Sequence, residues 1–410
     1  MRILHTSDWH LGIYLHGISL LDEQEAFIET LPVIIKENNI EAVVISGDIF
    51  DHAISNPEAI NLYNKAMTIL CMDEKIPVLI CAGNHDGAER LSSCNELLKK
   101  SGLYISGRIN NEMKPIILGD TAFHLLPFFN AEEVRSIFTK ETIRNYPEAM
   151  TTVINSIKAN IIPNKSNILI SHCYVNGAEL CDSDRSAMVG GTNAVNADIF
   201  EGFDYIALGH LHRAQPCSDK VKVYYSGSPI KYSFSEANHI KSFSIIDTTD
   251  MSITTLPINP LHDMRILKGT YEEILGISES NKGNQDYIKI ELTDTYIGLE
   301  TQETFRNFYP NLLCMAGKSL EADNQITTLT IDEIAQLSPK DILLKFYLEI
   351  CAAEPNEGQL KWFDKAIEAI EAIEAVEAVN AIEAVETIEA GEAGEAIEAI
   401  EAAGKGGGLQ

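Results

Sequence analysis

The sequence predicts an α/β fold over residues 1–250, joined to a smaller unit and a low-complexity tail. Three observations point there. Short apolar runs rich in β-branched residues recur between segments of helical periodicity. A cluster of Asp, Asn or His follows each of the first five runs. The composition then changes twice, near Leu261 and near residue 366.

Strands are expected at Arg2–Leu4, Ala42–Ile45, Pro77–Cys81, Asn167–Ile170, Tyr205–Leu208 and Val221–Tyr225, each short and bounded by turn or polar residues. After the first strand, Ser19 and Asp22 resemble a capping box opening a helix to about Glu37, with Pro32 expected to kink or limit it. Asn56 followed by Pro57 reads as an N-cap and first-turn proline, and Ile60, Tyr63, Met67 and Leu70 then recur at helical spacing. Beyond Leu261, "NPLHDMRILKGTYEEIL", "DYIKIELTD" and "TFRNFYPNLLCMA" read as a small unit of strand, helix and strand. "SPKDILLKFYLEICAAE" reads as a helix with Ser338 as N-cap and Pro339 at its first position, carrying a face for a partner.

Residues 366–403 repeat with a period of three, in Ala, Glu and Ile or Val. Three residues advance an α-helix by about 300°, so the apolar positions drift by about 60° per repeat and form no steady stripe. Glutamates at i, i+3 also repel. The tail is expected to be a fraying helix or disordered, ending in the flexible GKGGG.

Bulk properties bound the function. The chain has 410 residues, 45% of them hydrophobic, enough for one large domain and smaller attachments. It contains neither an uninterrupted apolar stretch of ~18 residues nor the pattern of a signal peptide, so a soluble, cytoplasmic protein without a membrane partner is expected. The eight cysteines include no C-x-x-C pair and sit mostly in apolar runs, which argues against a disulfide framework or a zinc-thiolate site. A formal charge of −29 argues against coating nucleic acid by charge alone. It leaves a nuclease open, because bound divalent cations invert the local field. Residues 361–410 hold 12 acidic and 3 basic residues, so only part of this charge is in the tail.

The five motifs are Asp8-Trp9-His10; Gly47-Asp48 with Asp51; Gly83-Asn84-His85-Asp86; Ser171-His172; and Gly209-His210-Leu211-His212. Strand ends in an α/β sheet converge on one edge, where such folds place ligands. Each motif alone is weak. His210 and His212 are stronger, since alternate strand residues share a face. Five such clusters at one edge are not explained by packing.

D-x-H, GD-x-x-D, GNH-D, a lone His and GH-x-H, in that order, resemble the calcineurin-like metallophosphoesterase superfamily over most of residues 1–230. "LHTSDWHLG", "LHGISLLDEQ", "VGGT", "LGHLHRAQ" and "YYSGSPIKYSFSE" resemble the bacterial SbcD family, the nuclease subunits of SbcCD complexes, as do "LKGTYEEIL", "DYIKIELTD" and "FYPNLL" further on. The resemblance spans roughly residues 1–350 and implies a β-sandwich flanked by helices. It divides the chain into a nuclease domain at 1–260, a small α+β capping domain at 261–335, a helical partner-binding segment at 336–365 and the tail at 366–410.

Hydrolysing a phosphodiester needs a hydroxide near neutral pH and neutralised phosphate charge, which two divalent metals supply. One carboxylate must bridge them, and Asp48 suits this because Gly47 lets the backbone approach closely. The superfamily pattern implies that Asp8, His10, Asp48 and His212 hold one metal, and that Asp48, Asn84, His172 and His210 hold the other. These mixed donors suit borderline metals, and the resemblance implies Mn²⁺. It also implies that His85 meets the phosphate or the leaving oxygen, with the Asp51 carboxylate orienting it.

Arg90 and Arg185 are candidates for phosphate contact, and His16 for the rim of the site. His5 reads as core, His124, His239 and His262 as structural or surface, Trp9 as packing with base stacking as the alternative, and His52 as a bystander or part of the substrate rim. Gly87 stands where the family often has a hydroxyl residue, and a lost hydrogen bond without lost activity is expected. The leading function is a Mn²⁺-dependent double-strand DNA exonuclease and hairpin endonuclease. An SbcC-like coiled-coil ATPase is implied as partner, with a homodimer inside a heterotetramer. The chain has no P-loop, so ATP dependence must come from that partner. The competing readings are a stand-alone phosphatase or cyclic-nucleotide phosphodiesterase on the same fold, and a scaffold with a dead site.

Overall fold

The computed structural model describes residues 1–139, 141–184, 194–294, 297–317, 338–351, 355 and 358–367. Arg185, the pair Gly190-Gly191 and nearly all of the repeat tail lie outside them. Chain contacts divide the protein into two units, Met1–Lys318 and Ser319–Gln410.

Two six-stranded sheets make up most of the first unit. In chain order its strands are β1 Arg2–Thr6, β2 Tyr14–Leu15, β3 Ile18–Ser19, β4 Ala42–Ser46, β5 Val78–Cys81, β6 Leu103–Ser106, β7 Ile116–Leu118, β8 Thr121–Leu126, β9 Ser166–His172, β10 Tyr205–Gly209, β11 Gln215–Pro216, β12 Val223–Tyr225, β13 Ser242–Asp247, β14 Ser252–Pro257, β15 Met264–Gly269, β16 Tyr287–Leu292 and β17 Leu312–Ala316. The first sheet runs β14-β13-β1-β4-β5-β6 and the second β11-β12-β10-β9-β8-β7. β1, β4, β5 and β6 are mutually parallel, as are β8, β9, β10 and β12.

Alternation along the strands explains the four layers. Ile3, Ala42, Val44, Leu79 and Cys81 of the first sheet pack with Phe123, Ile168, Ile170, Tyr205 and Ala207 of the second. The intervening residues Leu4, Val43, Ile45, Val78 and Ile80 face outward and pack with Phe27, Ile28, Leu31 and Leu62 of two covering helices. Leu169, Ile206 and Leu208 face outward on the other side, beneath Met150, Val153 and Ile157. Strands buried on both faces read as continuous apolar runs, which is why the sequence exposes them.

The first covering helix, Leu21–Glu37, departs from expectation. Its N-cap is Leu20, without a side-chain cap. Ser19 is still extended in the β2–β3 hairpin, paired with Tyr14, and so cannot close a capping box. The helix does run to Glu37 as expected, and Pro32 lies inside it without ending it. The second, Pro57–Met67, is capped by Asn56, whose Oδ1 accepts from the Ala59 N–H at 2.7 Å. Its buried face is Ala59, Leu62, Ala66 and Met67, and Ile60 is 43% exposed.

β15, β16 and β17 form a parallel three-stranded sheet covered on one face by helices Tyr271–Ser280 and Leu299–Arg306. Met264 and Tyr287 on its other face join the core beneath the first large sheet. In the second unit, helix Pro339–Cys351 opens as expected: Ser338 Oγ accepts from the Asp341 N–H at 3.1 Å. No helix among the described residues is long and apolar enough to cross a membrane.

Candidate metal centre

All five motifs leave the C-terminal ends of neighbouring parallel strands, from β1, β4 and β5 in one sheet and β9 and β10 in the other. The first two loops continue side by side past the sheet, with Asp8 N–H on the Gly47 carbonyl and His10 N–H on the Asp48 carbonyl, each at 3.0 Å. Four candidate ligands have left-handed backbones: Asp8 at φ 53°, His10 at 42°, Asp48 at 51° and His210 at 103°. Such conformations are strained in non-glycine residues and cluster at functional sites.

The side chains converge on the Asp48 carboxylate. Its Oδ2 lies 3.6 Å from His10 Nε2 and 3.3 Å from His172 Nε2, while Oδ1 accepts from the His85 N–H at 2.9 Å. On one side, His212 Nε2 is 3.3 Å from His10 Nε2. On the other, Asn84 Oδ1 lies 2.9 Å from His172 Nε2 and 3.0 Å from His210 Nδ1. Asp8 is fully buried, accepts the His210 N–H at 2.9 Å, and groups with His10 and His212 as well as with Asp48 and His172. A Cβ at Gly83 would overlap the Asp48 carboxylate, with Cγ at 2.8 Å, and one at Gly47 would overlap the His172 ring. Both glycines are needed for this close approach.

Outer partners select the imidazole nitrogen that faces inward. His172 Nδ1 is held by the Ser46 carbonyl at 2.8 Å, His212 Nδ1 by Ser183 Oγ at 3.0 Å, and His10 Nδ1 lies 3.4 Å from Asp51 Oδ1. His172 and His212 therefore present Nε2, the arrangement of metal-binding histidines with a second hydrogen-bonded partner, whereas His10 Nδ1 is buried without a hydrogen bond among the described residues, beside the Asp51 carboxylate. His210 presents Nδ1 instead. β10 ends at Gly209, and the left-handed turn at His210 sends the two histidines to opposite sides of Asp48. They do not share a strand face as the sequence suggested.

The charges are strongly perturbed. Burial alone would raise the Asp48 carboxyl, but His172, His10 and His85 outweigh it and hold it below the usual carboxylate range. Burial would lower His172, yet the Asp48 charge and hydrogen bond raise it to about 9. Burial and the neighbouring His172 charge lower His210 to about 3. Asp8 is raised, chiefly by burial.

Asp51 differs from expectation. His85 Nδ1 is held at 2.8 Å by the Asp51 backbone carbonyl, and the carboxylate faces His10 Nδ1 and, at 3.5 Å, the exposed His52. Gly87 is explained, because a Cβ there would lie 2.6 Å from the Ala53 carbonyl. The close loop leaves no room for a hydroxyl side chain. Arg90 is exposed and donates to that same carbonyl at 2.8 Å. His16 is exposed beside Phe234, and Trp9 is buried with its Nε1 on Thr6 Oγ1. His5 bonds Tyr205 and Ser46, His124 bonds Asn167, His239 meets Cys181, and His262 meets Glu23.

Sequence reasoning assigned no role to the residues that brace these loops. Asp86 accepts from the N–H groups of Gly83, Phe50 and Ile49, joining the second and third loops. Burial and the Asp48 charge raise it to about 6. Behind His212, the buried Lys241 ammonium donates to the His212 carbonyl, Ser228 Oγ and Glu236, and Glu236 accepts from Ser183. Burial would raise Glu236, but Lys241 and His212 hold it well below the usual range. The signal available was "YYSGSPIKYSFSE", which carries family resemblance but none of the ligands.

Comparison with known proteins agrees with this geometry. Residues 1–214 match the calcineurin-like phosphoesterase family, and residues 260–350 match a domain described as the type 5 capsule protein repressor C-terminal domain. The SbcD subunit of the nuclease SbcCD from Staphylococcus epidermidis is 31% identical over 350 residues, covering 85% of this chain and 92% of that protein. This chain belongs to the SbcD family of calcineurin-like phosphoesterases. Its counterpart in the nuclease SbcCD from Staphylococcus saprophyticus is 30% identical over 371 residues, covering 90% and 98%. As an SbcD-family member the protein is a metal-dependent phosphodiesterase, and its divalent cations have the buried cluster around Asp48 as a fitting site. The donors fit such cations: buried carboxylates, an amide oxygen and inward-facing imidazole nitrogens, with no thiolate in the cluster.

Proposed function

We propose that the protein is a Mn²⁺-dependent exonuclease and structure-specific endonuclease that hydrolyses double-stranded and hairpin DNA together with an SbcC-like coiled-coil ATPase. The observation carrying this reading is the Asp48 carboxylate set between His10 and His172, with a further histidine beyond each. Asp8, His10, Asp48 and His212 would hold one cation, and Asp48, Asn84, His172 and His210 the other; bound there, the two would supply a hydroxide near neutral pH and neutralise phosphate charge.

The remaining work falls to side chains. His85, its Nδ1 held by the Asp51 carbonyl, leaves Nε2 to meet the phosphate or protonate the departing oxygen. The Asp51 carboxylate, 3.4 Å from His10 Nδ1, places a negative charge behind the ring whose Nε2 faces Asp48. The braces around Asp86 and Glu236 keep the loops in place before substrate arrives, which preserves the alignment that phosphoryl transfer needs.

The naming of both relatives as one component of the nuclease SbcCD supports the ATPase partner. A homodimer is supported by a groove of about 870 Å³ lined by Ile54, Ile60, Met67, Met72, Leu91 and Leu98, in which Ile54 is 75% and Met72 59% exposed. Apolar exposure of this kind marks an association surface.

The test offers linear duplex DNA, hairpin DNA and cyclic nucleotides to the purified protein, with Mn²⁺ or Mg²⁺ and with or without an SbcC-like partner and ATP. Cleavage of DNA in Mn²⁺ is expected. Turnover of cyclic nucleotides without DNA cleavage would refute the reading.

A further inference from the structure

Two pairs of consecutive residues tie the first metal loop to the connector that leads into the small sheet. On helix Leu21–Glu37, Gln24 and Glu23 are both buried. Gln24 Nε2 donates to the carbonyls of Trp9 at 3.0 Å and His10 at 2.8 Å, and its Oε1 accepts from the Gly12 N–H at 3.0 Å. Its neighbour Glu23 accepts from the N–H groups of Leu261 and His262, each at 3.1 Å, and meets His262 Nδ1 at 2.7 Å.

The segment after β12 repeats the arrangement. Tyr232 Oη donates to the carbonyls of Asp8 at 3.0 Å and Trp9 at 2.6 Å. Its neighbour Lys231 donates to Asp263 Oδ1 and to the Ala237 carbonyl, at 2.7 and 2.6 Å. The carbonyls of Asp8, Trp9 and His10 are thus all held by two side chains, and each holder adjoins a residue that grips 261–263.

We infer that Gln24 and Tyr232 are positioning residues for Asp8 and His10, and that Glu23 and Lys231 couple the seating of the small sheet to that loop. The inference rests on Asp8 and His10 being metal ligands, as proposed above. The strained backbones of Asp8 and His10 persist only while their surroundings over-determine them. A pull on the connector reaches Glu23 and Lys231, and each is one peptide, about 3.8 Å, from a residue holding the loop. Whatever shifts the small sheet therefore changes how firmly the first cation is held, and by reciprocity that cation steadies the connector.

The experiment uses the full chain and Mn²⁺, with Co²⁺ absorption as a spectroscopic reporter. Glu23→Gln and Asp263→Asn alter only the connector grips, Lys231→Met alters a connector grip together with the bond to Ala237, Gln24→Ala alters only the loop grip, and His10→Ala tests the ligand assignment. Gln24→Ala should weaken metal binding about tenfold or more, as loss of an outer partner does. The connector variants should weaken it by about threefold and shift the Co²⁺ spectrum. Glu23→Gln combined with Gln24→Ala should weaken it less than the product of the two, because they act on one element. In the wild-type protein, Mn²⁺ should slow hydrogen exchange at the Leu261 and His262 amides.

Connector variants that exchange faster at 261–262 yet keep wild-type Mn²⁺ affinity and Co²⁺ spectrum would overturn the coupling. Retention of both metals by His10→Ala would instead overturn the ligand assignment beneath it. Should Glu23→Gln fail to fold, Asp263→Asn carries the test, because the Asp263 side chain is 47% exposed.

Discussion

Metal binding to this site should release protons, and His172 sets the scale. In the metal-free protein, Asp48 raises the His172 imidazole to about 9. A metal ligand must be neutral, so binding displaces that proton. At pH 7 the ring lies about two units below its pKa, and roughly one molecule in a hundred has it neutral. The penalty is on the order of 3 kcal/mol at 1.36 kcal/mol per unit. Affinity should therefore rise about tenfold per pH unit from 7 and level off near 9. His212, also raised because Glu236, Asp184 and Asp8 outweigh its burial, steepens the slope wherever it is still protonated. His210, lowered to about 3, is already neutral and adds nothing. Calorimetry of Mn²⁺ binding in buffers of different ionisation enthalpy, repeated between pH 6.5 and 9, measures both the affinity and the protons released. A flat affinity over this range, or proton uptake on binding, would refute the assignment of His172 as a ligand beside a charged Asp48.

Other consequences follow from the same geometry. Asp48→Ala should lose both metals in a metal-content assay, whereas Asp51→Asn removes the charge beside His10 Nδ1 and should weaken binding of the first metal and lower turnover with it. An Asp51→Asn enzyme with unchanged rate and pH profile would remove Asp51 from the mechanism. Gly83→Ala forces a methyl against the Asp48 carboxylate. It should cost about 1–3 kcal/mol of stability in urea denaturation and weaken metal binding at least about tenfold. Glu236→Leu strands the buried Lys241 ammonium and should cost about 3–5 kcal/mol, while Glu236→Leu with Lys241→Met should recover most of it.

The legible parts of the molecule were those encoded locally. The runs that became β4, β5, β9 and β10 are mostly apolar because both faces are buried, and candidate ligands stand at or just after their ends. Asn56-Pro57 opened its helix because an N-cap acts within one turn. β8, "TAFHLL", escaped notice because its buried Thr121 and His124 interrupt the apolar signal. Ser19 misled because its capping potential is overridden by a hairpin. The split of the strands into two facing sheets came from family resemblance, since apolar runs alone do not tell one doubly covered sheet from two.

The braces were hidden for a different reason. Tyr232 meets Asp8 and Trp9 across more than 220 residues, and Lys241 supports His212 through a backbone carbonyl, a group every residue shares. Residue type likewise does not disclose that the Asp51 backbone carbonyl, rather than its carboxylate, meets His85 Nδ1.

A two-cation centre bridged by Asp48 is tested most directly by anomalous diffraction from crystals grown with Mn²⁺. Two manganese peaks are expected roughly 3.5–4 Å apart with the Asp48 carboxylate between them, one beside Asp8, His10 and His212 and the other beside Asn84, His172 and His210. A single peak, or a pair that Asp48 does not bridge, would contradict that centre.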